Sequence, residues 1–209
     1  MDQKARVAIV YYSSTGHSYQ VAKAYEEGAK SEGAEVRVRK VRELAPAEAI
    51  ASNPAWKEHL EATKDVPEVA HADLEWANGY VFGTPTRYGV MSAQLKQFID
   101  TCGPLWMQGK LSNKAVTAFA GAMNSHGGQE NTIHSIYAVM QHWGAIIVPP
   151  GYTNPLLYAS GGNPYGVSYT AAMGSTGVSA EVLAAARYMG ARLTRYAEVL
   201  AANARRLVP

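Results

Sequence analysis

Residues 6–21 read RVAIVYYSSTGHSYQV, and they lead the chain from a strand into a helix. The apolar, β-branched run at the start is typical of a buried strand, and apolar residues at helical spacing follow the polar junction. We predict a strand over residues 6–12 and a helix that Ser18 caps and that ends near Glu32, with Gly33 at its C-cap. Four hydroxyl side chains and a glycine occupy the junction, so the question is what they hold.

The junction has the parts of an anion-binding site. Backbone N–H groups before a helix are free, and the helix dipole adds partial positive charge there. Gly16 lets the backbone approach a ligand, and no lysine or arginine lies in the loop, so neutral donors would bind the anion. Simple capping would account for one or two hydroxyls but not four, so we favour phosphate. The predicted ligands are Ser13, Ser14, Thr15, Gly16, His17 and Ser18, with the His17 ring either packing or donating.

Two common phosphate motifs do not match this sequence. A GxxxxGK[ST] loop is missing together with its lysine, and only one glycine follows the first strand, where a dinucleotide site needs GxGxxG. The predicted phosphate site is therefore of another kind.

Composition narrows the class of protein. The 209 residues fit one domain, 1–209, with 47% apolar and 17% charged residues. No run of 18 apolar residues and no signal-like segment occurs, so we expect a cytoplasmic protein without a membrane span. The net charge is +2 without a clustered basic surface, which argues against nucleic-acid binding. Cys102 is the single cysteine, so it forms no intrachain disulfide and is expected in the core, and no metal site is predicted.

Strands and helices alternate along the rest of the chain. Further strands are predicted at 34–41, 80–83, 115–120 and 145–148, and helices at 92–101, 129–143 and from Ser179 to about Arg205. Five strands separated by helices predict a parallel, doubly wound sheet, with the ligand beyond the carboxyl ends of the strands. Two excursions interrupt this pattern, at about 42–73, with one or two short helices, and at 149–175, a long loop.

Two more loops follow predicted strands. The first reads FGTPTRYGVMS over residues 82–92, where Pro85 stiffens the backbone, Gly89 frees a turn and Tyr88 is displayed. A rigid loop that displays an aromatic side chain suits a flat aromatic ligand. The second reads AGAMNSHGGQ over residues 120–129, and alone it is equally compatible with a glycine-rich connector.

Together YYSSTGHS, GTPTRYGVMS, GGQE and VPPGY resemble the WrbA family of flavodoxin-like NAD(P)H:quinone oxidoreductases, and the resemblance covers essentially the whole chain. It implies a flavodoxin-like, doubly wound, five-stranded parallel sheet with helices on both faces. It also implies non-covalently bound FMN, NADH or NADPH as co-substrate, and a small-molecule quinone as substrate. A homotetramer with flavin sites at subunit interfaces is implied as well.

The resemblance assigns roles to individual residues. The implied flavin contacts, besides the first loop, are Thr84, Pro85, Thr86, Arg87, Tyr88, Gly89, Ala122, Met123, Asn124, Ser125 and Gly127. His142 would act at the flavin from another subunit as a catalytic residue, and Trp106 would line the quinone pocket. From the residues alone, a helix C-terminus is the favoured role for His142. A core position is the commoner case for a tryptophan, but the Gly-Pro before Trp106 favours a pocket wall. Thr15 stands where relatives often carry an aromatic residue.

Three functions follow in order of preference. The first is two-electron quinone reduction, with hydride transfer through flavin N5 and ping-pong kinetics. The second is a flavodoxin-type single-electron carrier, although carriers tend to be shorter and acidic. The third is a regulatory binding protein, for which the sequence offers no basic recognition helix.

Overall fold

A computed structural model describes residues 4–172 and 174–204. Its strands are β1 (Arg6–Tyr11), β2 (Glu35–Lys40), β3 (Gly79–Pro85), β4 (Ala115–Ala122), β5 (Ile146–Ile147) and β6 (Val167–Thr170). They form one parallel sheet in the order β2-β1-β3-β4-β5, and β6 also pairs with β4. The chain first moves outward from β1 to β2 and then returns to β3. This confirms the doubly wound fold and places the switch point between β1 and β3.

The helices are α1 (His17–Ser31), α2 (Ala47–Ala51), α3 (Pro54–Ala62), α4 (His71–Trp76), α5 (Ala93–Asp100), α6 (Gly103–Met107), α7 (Gln129–His142), α8 (Pro155–Ala159) and α9 (Ala180–Ala202). Ser92 and Ser179 cap α5 and α9, because each side chain accepts a hydrogen bond from the third N–H of its helix. The predicted end of the last helix near Arg205 lies outside the described residues.

Helices cover both faces of the sheet. Side chains alternate along a strand, so Val7 and Ile9 of β1 pack with α1 and α9, while Ala8 and Val10 pack on the side of α5 and α7. Both sides of the central strands are therefore buried, which explains their continuous apolar sequence. β2 lies at the edge and is partly exposed, as its alternating valines and arginines predict.

The last edge of the sheet is one strand in two pieces. Ile147 of β5 pairs with Val116, and Val167 of β6 pairs with Phe119, so the pieces lie in line beside β4. The prediction of a plain loop over 149–175 is therefore wrong, since the segment contains α8 and β6. A Cβ built on Gly121 would lie 1.9 Å from Cζ of Tyr169, so this ring packs directly on the β4 backbone. That partner is remote in sequence, which is why local composition hid the strand.

Cys102 occupies the core, as predicted. Its thiol is fully buried and donates to the Phe98 carbonyl oxygen at 3.5 Å. Burial raises the pKa of the thiol to about 12, so it stays protonated and unreactive at neutral pH.

Two features are absent from the described residues. No helix among residues 4–172 and 174–204 is both long and apolar enough to cross a membrane. The same residues bring together no group of three or more metal-ligating side chains.

Candidate functional site

The three predicted loops lie side by side, at the carboxyl ends of β1, β3 and β4. The Tyr12 N–H donates to the Gly83 carbonyl oxygen at 3.0 Å, and the Thr86 N–H donates to the Gly121 carbonyl oxygen at 2.7 Å. Each loop is thus joined to its neighbour through the backbone where the strands end.

The first loop turns into α1 at Gly16. This residue is the N-cap, with a φ of 95°, so the prediction that Ser18 caps the helix is wrong. The Gly16 N–H donates to Oγ of Ser13 at 3.0 Å, which closes the turn. Because Gly16 has no side chain, it cannot cap the first N–H groups of α1, and these stay available to an anion.

Most side chains of the first loop form hydrogen bonds within the protein and are not free to contact a ligand. The Ser18 and Tyr169 hydroxyls share a hydrogen bond of 2.7 Å. Nδ1 and Nε2 of His17 lie 3.2 Å from Oγ1 of Thr15 and 3.1 Å from Oγ of Ser175. The structure therefore favours the packing role for the His17 ring. Ser14 has no hydrogen-bond partner within the described part of the chain and remains free to donate.

The second loop forms a tight turn. Arg87 and Val90 exchange backbone hydrogen bonds of 2.8 and 3.1 Å. Tyr88 and Gly89 between them have φ values of 52° and 83°, as in a type I′ turn. A tyrosine with positive φ is uncommon, and such strain is concentrated at functional sites. Its side chain is fully exposed.

Threonines make the second loop rigid. Thr84 is fully buried, and its hydroxyl lies 2.9 Å from Oγ of Ser92, so this side chain supports the loop from below. Oγ1 of Thr86 accepts from the Gly89 N–H at 3.1 Å and from the Thr132 hydroxyl at 2.8 Å. The residues around the turn are therefore fixed before any ligand binds.

The third loop contacts the second through glycines. Gly128 has a φ of 90°, and a Cβ built on it would lie 2.9 Å from Cα of Gly89. Nδ2 of Asn131 donates to the Gly89 carbonyl oxygen at 2.7 Å, and Nε2 of Gln129 donates to the Asn124 carbonyl oxygen at 2.7 Å. Neither Gly128 nor Asn131 is among the site residues that the sequence predicts. The adjacent glycines Gly127 and Gly128 are the feature of the sequence that could have indicated a close approach between the two loops.

Glu43, in the first excursion, ties α3 and α5 to the first loop. Its carboxylate accepts from the Tyr12 hydroxyl at 2.9 Å, from Nε2 of Gln94 at 2.9 Å and from Nε1 of Trp56 at 3.1 Å. Burial alone would raise the pKa of Glu43, but the hydrogen bonds, led by that from the Ala45 N–H, bring it below the ordinary value.

Replacing Glu43 by Gln should destabilise the protein by about 1–2 kcal/mol at pH 7, because a single amide oxygen cannot accept all these bonds. The folded-state pKa is depressed, so the charge stabilises the fold above pH 4.5, and this is lost as pH falls through the folded-state value. Urea unfolding from pH 7 to pH 3 should show the difference shrinking towards acid. Glu58→Gln, an exposed change on α3, is the control, and a pH-independent difference would contradict the assignment.

Trp106 and His142 lie together but far from the loops. Nε1 of Trp106 donates to the His142 carbonyl oxygen at 2.9 Å, and both residues are exposed. α7 begins at the third loop and ends at His142 after 14 residues, a distance of about 20 Å along the helix. One chain therefore does not bring these two residues to the loops.

A large opening adjoins the third loop. It has a volume of about 640 Å³ and lies between that loop, β6 and the start of α9, with Asn131, Ser168 and Ser179 among its lining residues. The third loop thus borders a space of the size that small molecules occupy.

Comparison with known proteins gives the family. Residues 5–154 match the family described as NADPH-dependent FMN reductase. A protein named NAD(P)H dehydrogenase (quinone) from Deinococcus radiodurans is 51% identical over 171 residues, which cover 82% of this chain and 86% of that protein. Another of the same name from Methylocella silvestris is 40% identical over 198 residues, covering 92% and 97% of the two chains.

A solved structure supports the fold. The flavodoxin, WrbA-like protein from Agrobacterium tumefaciens superposes with a TM-score of 0.66 at 23% identity, over 94% of this chain and 99% of that one. The fold is thus flavodoxin-like, and the match over residues 5–154 and the sequence identities together show that the chain belongs to the NADPH-dependent FMN reductase family.

Proposed function

We propose that this protein binds FMN non-covalently and reduces quinones with NADH or NADPH. The relatives' names supply the reaction class. The observation that carries the proposal is the uncapped start of α1 at Gly16, next to two rigid loops at the same edge of the sheet.

The residues present fit the phosphate of FMN. The first N–H groups of α1 and the free Ser14 hydroxyl would hold it. A flat ring would lie against the joined surface of the second and third loops, which the close approach of Gly89 and Gly128 holds together, with the exposed Tyr88 next to Gly89 in sequence. When bound, FMN supplies a hydride acceptor and donor at N5, which gives ping-pong kinetics if both substrates use one face in turn.

The chain's own residues would bind and orient the cofactor. The predicted contacts of the second loop present backbone groups that the Thr86–Thr132 and Asn131–Gly89 hydrogen bonds hold in place. A rigid site costs little reorganisation when substrate arrives. Met123, Asn124 and Ser125 would form the wall on the side of the third loop.

We propose that a homotetramer completes the site. His142 and Trp106 lie far from the loops of their own chain, so a neighbouring copy would bring them to the flavin and the quinone. Exposed apolar side chains support an interface at both places. Tyr88 in the second loop is fully exposed, and Met107, next to Trp106, is 80% exposed. The excursions at 42–73 and 149–175 of this single domain would add contacts between subunits, and the location would be cytoplasmic.

Purified protein should take up FMN, and the loaded form should oxidise NADH or NADPH with benzoquinone, giving parallel double-reciprocal lines. Light scattering after gel filtration should give the mass of four chains of 22.5 kDa. Anaerobic photoreduction distinguishes quinone reductase from the alternative function, since a stable blue semiquinone would support a single-electron carrier. Failure to bind FMN would refute the proposal.

A further inference from the structure

The first excursion places a histidine beside the phosphate loop. A Cβ built on Gly16 would lie 3.5 Å from Nδ1 of His59 and 3.9 Å from its Cγ. The ring centroid of His59 is 5.8 Å from that of Tyr19 on α1. Neither ring nitrogen of this half-buried side chain has a hydrogen-bond partner among residues 4–172 and 174–204. α3 therefore holds a free imidazole against the turn that begins α1.

A lysine lies next to His59. Both residues line a cavity of about 80 Å³ beside the first loop, together with Ser13 and Thr63. The cation is Lys40, at the end of β2, and its Nζ donates to the Thr63 carbonyl oxygen at 2.6 Å. The loop has no lysine or arginine of its own, but its surroundings contain positive charge.

The other charged or titratable groups around His59 come from α1, the end of β1, α3 and the segments that carry Glu43 and Glu68. On α1 it faces His17 and Tyr19, and at the end of β1 the cavity is lined by the neutral Tyr11 and Tyr12. Glu43 and Glu68 also line this cavity; the carboxylate of Glu43 accepts hydrogen bonds from Tyr12 and Gln94, and Glu68 is exposed to solvent. Lys57, Glu58 and Glu61 on α3 are exposed to solvent.

The protein without ligand disfavours a charged His59. Burial is the largest cause, followed by the electrostatic interaction with Lys40 and then by that with His17, and together they lower the pKa of His59 from 6.5. An anion bound at the turn would instead favour the charged form of His59, because its negative charge attracts the imidazolium. A phosphate monoester carries about −1.5 to −2 charges at pH 7.

We propose that His59 is a proton-linked ligand of the flavin phosphate, carried onto the first loop by α3, and that Lys40 adds charge to the same site. This rests on the proposed FMN site and revises the expectation that neutral donors alone bind the phosphate. On binding, the imidazole takes one proton from solvent and donates an N–H to a phosphate oxygen, and no covalent bond changes.

The sign of the pH dependence follows from linkage. The His59 pKa lies below 6.5 in the free protein and should rise in the complex, so binding takes up a proton between these two values. The part of the FMN affinity due to His59 should therefore fall as pH rises through this window. The phosphate ionises itself, with a second pKa of about 6. Comparing wild type with a His59 variant at each pH removes that contribution.

The test is the binding of FMN and riboflavin by apoprotein, measured as flavin fluorescence between pH 6 and pH 8.5. His59→Gln should weaken FMN binding about tenfold at pH 6, since a charge-assisted hydrogen bond is lost, and the ratio to wild type should approach one towards pH 8.5. Riboflavin lacks the phosphate and should bind both proteins equally. Calorimetry in two buffers should show proton uptake with FMN that His59→Gln abolishes. His71→Gln, which removes a histidine bonded to Thr101 on α5's C-terminal side, is the control and should match wild type.

Other outcomes overturn the inference. Equal FMN affinity and proton uptake in His59→Gln would do so, and so would an equal loss of riboflavin binding, which would mean that His59 only supports the fold. If wild type binds no FMN, the proposed function fails, and NMR titration with inorganic phosphate then decides the inference separately. A rise in the His59 pKa would support it, and no change would overturn it.

Discussion

Replacing Gly190 by Ala should destabilise the protein by about 3 kcal/mol or more, because this glycine lies where α9 crosses α1. A Cβ at position 190 would lie 2.2 Å from the Tyr25 carbonyl oxygen and 3.0 Å from the Ala29 nitrogen. Both are backbone atoms of α1, so no side-chain rotation relieves the overlap and the helices must separate. Thermal and urea unfolding would measure the loss.

The contact is mutual, which strengthens this expectation. A Cβ on Gly28 of α1 would lie 1.9 Å from the Arg187 carbonyl oxygen of α9. The two helices therefore approach at a glycine on each side, and together they cover one face of the sheet.

Helix propensity makes the sign of the Gly190 result informative. In an exposed helix, Gly→Ala stabilises by about 1 kcal/mol. Gly103→Ala is the matched control, because Gly103 begins α6, has no positive φ and has no atom within 4 Å of a built Cβ. We expect it to be neutral or slightly stabilising. A stable Gly190→Ala protein would show that the two helices are not packed this closely.

Replacing Gly128 by Ala should weaken FMN binding about a hundredfold while the fold persists. The φ of 90° disfavours any side chain, and the new Cβ would lie 2.9 Å from Cα of Gly89 in the second loop. The second and third loops must then separate where the flavin ring is proposed to lie. Together the strain and the displacement should cost about 3 kcal/mol of binding free energy. Fluorescence titration of apoprotein with FMN is the measurement.

Gly33→Ala separates strain from displacement. Gly33 has a φ of 83°, but nothing lies within 4 Å of a built Cβ. That variant should lose about 1 kcal/mol of stability and keep its FMN affinity. If Gly128→Ala behaves in the same way, the contact between the two loops is not part of the cofactor site.

Local signals predicted most of the fold. The starts of α5 and α9 near Ser92 and Ser179, the edge position of β2 and the burial of Cys102 all depend on residue type and on neighbours within a few positions. Both errors involve Tyr169, which belongs to β6 and is the hydrogen-bond partner of Ser18. That residue bonds to Ser18 from 151 positions away and packs on Gly121.

The sequence by itself determined the order of the first five strands and of the helices between them, and the positions of the three loops at their carboxyl ends. Each of these follows from periodicity, glycines and hydroxyls within one short segment. Only the tertiary structure decided that Gly128 touches Gly89, that Glu43 holds α3 beside the first loop, and that His59 lies against Gly16. These contacts join residues of different elements, and their distances depend on how those elements pack rather than on any local pattern.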